Sequence, residues 1–77
     1  NPFNPTTAIS YQLLAIGFVR LEVYGVLGRS ITILVNEHQP PGQYTLRWDA
    51  SGMPSGVYLY KLTAGDFVAT RRMILLR

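Results

Sequence analysis

Short runs in which apolar and polar residues alternate, cut at close intervals by glycine and proline, constrain this chain most. Ile9, Tyr11 and Leu13 alternate with Ala8, Ser10 and Gln12. Val19, Leu21 and Val23 alternate with Arg20 and Glu22, and Tyr44, Leu46 and Trp48 with Thr45, Arg47 and Asp49. A period of two places the two sets on opposite faces of a strand, one of them buried. In Val57–Thr63, Tyr58, Tyr60 and Leu62 point one way and Leu59 and Lys61 the other. Ile31–Val35 is mixed, with Ile31, Ile33 and Val35 set against Thr32 and Leu34. Phe67–Leu76 is the longest run, and its end is apolar on both faces. No helical stripe exceeds about two turns. The spacing is that of an all-β sandwich or barrel of six strands, or seven if the Pro-rich N-terminus pairs or the last run is broken.

The breaks have their own chemistry. Ala64-Gly65-Asp66 between two runs reads as a tight hairpin, with Gly65 free to take positive φ. Tyr24-Gly25-Val26-Leu27-Gly28-Arg29 reads as a turn that tucks Val26 or Leu27 inward. Pro40-Pro41-Gly42 stiffens the chain and then turns it. Asp49 and Asp66 occupy positions where aspartate commonly caps a turn.

Seventy-seven residues make one small domain, expected to span 1–77. A domain this short buries only about 60% of its unfolded surface. With no cysteine, no disulfide makes up the shortfall, so the core must be well packed. The 14% of charged residues and 48% of hydrophobic ones argue against disorder. No apolar run approaches the roughly 18–20 residues of a membrane-spanning helix, and no membrane insertion is expected. The net charge of +3 raises nucleic acid as a partner. The bases are scattered, however, at Arg20, Arg29, Arg47 and Lys61, and cluster only at Arg71, Arg72 and Arg77. They are not interleaved with exposed aromatics along one strand pair, so nucleic-acid binding is not expected.

Catalytic constellations are missing. His38 is the one histidine, beside Glu37 in a polar stretch before two prolines. Glu22, Glu37, Asp49 and Asp66 lie on four different elements, and nothing pairs any two of them. Thiol chemistry and Cys-based zinc sites are excluded, and no calcium loop or phosphate loop is present. The expectation is a non-enzyme without cofactor or metal. Tyr11, Tyr44, Trp48, Tyr58 and Tyr60 fall on the apolar side of their strands, as core residues of a small sandwich would. Coplanar and exposed, they would instead form a carbohydrate platform. In Thr70-Arg71-Arg72…Arg77 the bases guard an edge strand against aggregation or present a recognition segment. Arg71 and Arg72 point to opposite faces, so both cannot be buried cheaply.

Taken in order, five motifs span the chain. They are Asn1-Pro2-Phe3-Asn4-Pro5-Thr6-Thr7, Val23-Tyr24-Gly25-Val26-Leu27-Gly28-Arg29, Pro41 to Asp49 (PGQYTLRWD), Ser55 to Leu62 (SGVYLYKL) and Arg71 to Arg77 (RRMILLR). The series closely resembles the C-terminal sorting domain of proteins exported by the type IX (Por) secretion system. It also resembles the related Ig-like domain of the flagellar hook-capping protein. The resemblance implies an Ig-like antiparallel β-sandwich at the C-terminus of a longer secreted protein. It implies a cargo domain N-terminal to it in the same chain, and delivery through the periplasm of a Gram-negative bacterium to the cell surface or exterior. The implied partners are the outer-membrane type IX translocon and a sortase-like peptidase. The family's motifs fall on Asn1 and Pro2, on Gly42 and Tyr44, on Gly56, Val57 and Tyr58, and on Arg71, Arg72 and Arg77 of the terminal strand. Translocon recognition is expected among Asn1, Pro2, Gly42, Tyr44, Gly56, Tyr58, Arg71, Arg72 and Arg77.

Three departures stand out. Gly25 occupies a position where the family usually has Asp. The terminal bases are arginine rather than lysine, which keeps the sign and changes the hydrogen-bond geometry. Leu14-Ala15-Ile16 puts apolar residues where the family exposes polar ones. Two other functions compete: a structural Ig-like spacer, whose parent would continue past Arg77, and a carbohydrate-binding module. The chain opens with Asn1 rather than Met, as a piece of a longer protein would.

Overall fold

A computed structural model describes residues 6–76, all in strands and turns. Six strands follow in order: β1 (Thr6–Leu13), β2 (Gly17–Gly25), β3 (Ser30–Gln39), β4 (Gly42–Asp49), β5 (Gly56–Ala64) and β6 (Phe67–Leu75). Every pairing is antiparallel. β1 and β4 form a two-stranded layer, and the other four form a sheet in the order β3-β2-β5-β6. The architecture is all-β and compatible with an Ig-like sandwich. A seventh strand from the Pro-rich start would fall outside the described residues, and the last run is one unbroken strand.

The expected alternation places the core. Val19, Leu21 and Val23 of β2 are 0% exposed. Against the first two pack Ile9 and Leu13 of β1 and Leu62 of β5. Val23 shares a second cluster with Trp48, Ala50 and Tyr58, in which Trp48 and Tyr58 meet edge to face at 5.5 Å. Tyr11, Tyr44 and Tyr60 are half-buried against the first cluster, with the Tyr11 and Tyr44 rings stacked at 5.2 Å.

Two expectations need correction. In β3, Leu21 faces Val35 and Glu22 faces Ile33, so Leu34 is an extra residue in the ladder. This bulge reverses the alternation: Leu34 packs against both clusters, whereas Ile33 is exposed. The β2–β3 turn also does not tuck its tip inward. The Gly25 N–H donates to the Arg29 carbonyl at 2.8 Å and the Gly28 N–H to the Gly25 carbonyl at 2.9 Å. The turn closes on itself beyond the end of the core, leaving Val26 exposed and Leu27 95% exposed. The hairpin at Gly65 forms as expected, with Ala64 paired to Phe67 and Gly65 at φ +60°.

Leu21→Ala is expected to lower the unfolding free energy by about 2–5 kcal/mol, whereas Ile33→Ala should change it by less than about 0.5 kcal/mol. Paired denaturant titrations measure both. Equal losses would contradict the bulged register.

Candidate functional site

Where the chain stays within one sheet, at β2–β3 and β5–β6, it turns on short glycine-bearing loops. At β1–β2, β3–β4 and β4–β5 it crosses from one sheet to the other. Two of these crossings share one construction, Pro-x-Gly-x-Tyr: Pro40-Pro41-Gly42-Gln43-Tyr44 and Pro54-Ser55-Gly56-Val57-Tyr58. The Tyr44 hydroxyl donates back to the Pro40 carbonyl at 2.5 Å, and the Tyr58 hydroxyl to the Pro54 carbonyl at 2.6 Å. Gly42 and Gly56 open the following strands at φ +154° and +156°, a conformation that residues with a side chain rarely adopt. An added Cβ would meet nothing nearer than 3.9 Å at Gly42 and open space at Gly56, so the requirement for glycine is conformational. Two tyrosines thus hold the carbonyls that sheet pairing leaves free where the chain changes layer.

The sequence-expected residues divide accordingly. Gly42 and Tyr44 pair with Leu13 and Tyr11 in the two-stranded layer. Gly56 and Tyr58 pair with Leu75 and Met73 in the larger sheet. That sheet also carries Arg71, opposite Tyr60, and Arg72, opposite Leu59. The structure therefore brings Gly56, Tyr58, Arg71 and Arg72 together on β5 and β6, apart from Gly42 and Tyr44. Asn1, Pro2 and Arg77 lie outside the described residues.

β6 is an edge strand. Its inner face carries Ala69, Arg71, Met73 and Leu75, and its outer face Val68, Thr70, Arg72 and Ile74. Arg71 and Arg72 lie on opposite faces and are both exposed, Arg71 even though it is on the inner face. Arg71 has its Nη1 3.2 Å from the Thr70 carbonyl. Lys61, opposite Thr70, shares the outer face with Arg72. Between β6 and the free side of β1 runs a groove that is apolar at its larger end and mixed at the other. One part, of about 440 Å³, is lined by Leu13, Leu14, Ile16, Leu62 and Phe67. A contiguous part of about 210 Å³ reaches Ile9, Ala69 and Arg71. The apolar Leu14-Ala15-Ile16 departure thus forms one wall of this groove.

The outer face of the larger sheet carries a fixed carboxylate. Glu22 accepts hydrogen bonds from Ser30 Oγ at 2.5 Å, the Tyr24 hydroxyl at 2.8 Å and Arg20 Nε at 3.2 Å. Its 3.1 Å contact with Arg20 is the one ion pair among the described residues. The Ser30 hydroxyl first, then Tyr24, hold the Glu22 carboxyl below its ordinary range, against the opposing effect of desolvation. Asp49 caps its turn as expected. It accepts from the Ser51 hydroxyl and backbone N–H, which lower its pKa in that order. Sequence reading assigned Glu22 only to an outward face. The signal it left unused was Arg20-x-Glu22-x-Tyr24, three polar side chains on one face of one strand.

A two-layer β module with an open, basic edge strand and a bordering apolar groove is suited to being recognised by another chain. The profile of the secretion system C-terminal sorting domain matches residues 1–76. The chain belongs to this family, the C-terminal sorting domains of type IX secretion, and so carries a sorting signal for export to the cell surface or exterior. Searches of curated proteins and of solved structures return no significant match.

Tyr58→Phe should cost about 1–2 kcal/mol, because it strips the partner from a part-buried carbonyl. Tyr44→Phe, at the exposed corner, should cost less. Thermal unfolding of the two single variants ranks them, and the reverse order would refute the assignment.

The folded pKa of Glu22 lies below the unfolded one, so its stabilising contribution is complete above the ordinary value near 4.5. It is lost as pH falls through the depressed folded value. Wild type should therefore lose more thermal stability than Glu22→Gln between about pH 5 and about pH 3. Parallel losses in calorimetry would remove Glu22 as the cause.

Proposed function

We propose that this chain is the non-catalytic export signal of a cargo protein whose other domains precede it in the same polypeptide, and that β6 is the element the outer-membrane type IX translocon reads. Residues 1–77 form the sorting domain as one unit. The cargo passes through the periplasm of a Gram-negative bacterium and is released outside or retained at the surface, where a sortase-like peptidase acts on it. The observation that carries this reading is family membership across residues 1–76.

The geometry supports β6 as the element read. It is the edge strand of the larger sheet, its backbone is unpaired along one side among the described residues, and Arg71 and Arg72 stand exposed on its two faces. Gly56 and Tyr58 hold the start of β5, its neighbour, and their part in recognition is to present β6 in a fixed register. Gly42 and Tyr44 act likewise through the β3–β4 corner. Asn1 and Pro2 join the signal as its opening motif, and Arg77 extends its basic end. A sugar platform loses support, since Trp48 and Tyr58 are buried against each other and Tyr11 and Tyr44 stack together.

The test is export. Residues 1–77 are fused behind a periplasm-targeted reporter in a host with a type IX system. This fusion is compared with a version ending before Arg71 and with an Arg71→Glu, Arg72→Glu version. The intact fusion should reach the exterior, while the other two should accumulate in the periplasm. Equal export of all three, or export of none, would sink the reading.

A further inference from the structure

We infer that β6 binds an extended, acid-bearing strand of a partner protein, which adds to its free edge as a fifth strand of the larger sheet. The inference rests on β6 being the recognition element and goes further by naming what the partner presents there.

Three observations converge. First, among the described residues the edge is open. β6 pairs with β5 in unbroken register over Gly56–Ala64 and Phe67–Leu75, with no bulge and no proline. Natural edges are usually blunted by bulges, prolines or charge; here the arginines are the only such guard. Second, the flank beside this edge is apolar over its larger part, around Leu13, Leu62 and Phe67, and mixed where it reaches Arg71. A strand laid along β6 would direct alternate side chains over the groove bounded by Tyr11, Leu13, Leu62 and Phe67 and cover it. Third, the charges call for a specific complement. Arg71 faces the groove side and Arg72 the outer side, with Lys61 on the same outer face. Among the described residues none of the three has a carboxylate partner. Glu22, cross-strand from Lys61, is occupied by Arg20, Tyr24 and Ser30.

Adjacent arginines on opposite faces select adjacent carboxylates on opposite faces. The strand that fits is therefore apolar where it faces the part of the groove around Leu13 and Phe67 and carries two neighbouring acids at its centre, one of them on the groove side opposite Arg71. Backbone pairing provides affinity, and the carboxylates fix register against sliding.

The probe is a short synthetic peptide of alternating valine and threonine with Asp-Glu at its centre, titrated into the 77-residue chain at low salt. Amide shifts of β6 and groove residues should respond first. Arg71→Glu with Arg72→Glu should weaken binding about tenfold or more, and a Lys-Lys peptide should recover it on that variant. N-methylation of one alternate set of peptide amides should abolish binding, while methylation of the other set leaves it intact. Circular dichroism confirms that the variant folds.

No binding, binding indifferent to charge reversal, or equal effects of both methylation patterns would overturn the inference. So would a concentration-dependent dimer that hides β6, since a second copy would then be the occupant. Peptide failure with loss of export on truncation sinks this inference alone. Peptide binding with export unaffected by truncation sinks the export reading and leaves the binding surface standing.

Discussion

A layer of two strands cannot cover a sheet of four, and most of this molecule follows from that mismatch. Strands stand about 4.8 Å apart, so β1 and β4 can shield only the middle of the β3-β2-β5-β6 sheet. The largest fully buried side chains, Val19, Leu21 and Val23, accordingly lie on β2, with Ala50 just past β4 and Ile9 of β1 the next most buried. β3 meets the shortfall by a bulge that turns Leu34 as well as Val35 toward the core. β6 has no such adjustment. Met73 and Leu75 reach the second cluster, but Arg71 occupies an inward position where it stays exposed at the rim of the groove. The apolar groove and the open edge are thus two consequences of one geometric deficit.

Crossing between layers imposes a second requirement. A residue leaving one sheet gives up its ladder hydrogen bonds before the next sheet supplies new ones. Tyr44 and Tyr58 meet that need by returning a hydroxyl to a carbonyl four residues back. Each ring also packs: Tyr58 on Trp48 in the core, Tyr44 on Tyr11 at the margin. The same residues lie in the segments that carry the sequence resemblance to the family. Their presence therefore reports a folding device as much as a contact surface, and the exposed chemistry lies on the strand that the device holds in place.

Much of this was legible beforehand. The alternation in β1, β2, β4 and β5 predicted the buried stripe, because period two and one-sided burial leave little freedom. Ala64-Gly65-Asp66 predicted its hairpin, because the tight turn needs positive φ. The inward tip at Val26 and Leu27 and the simple alternation of β3 were misread. Hydrophobicity says that a residue favours burial but not whether the sheet extends far enough to bury it, and a bulge leaves no mark in residue type. The paired Pro-x-Gly-x-Tyr segments were visible as motifs, though not as corners, since a bond across four residues depends on where the second sheet lies.

By itself, the sequence determined the strand class, the turn sites, the aromatic core and the absence of cysteine chemistry, because each rests on local stereochemistry or residue type. Its ordered motifs were also enough to point to the sorting family. Only the tertiary structure decided which strands share a sheet and that β6 lies at an edge with both arginines exposed. It also decided that Glu22 gathers Ser30 from another strand and that Leu14 and Ile16 wall a groove. These depend on pairings between residues far apart in the chain, and the alternating pattern of one strand carries no information about which neighbour it will meet.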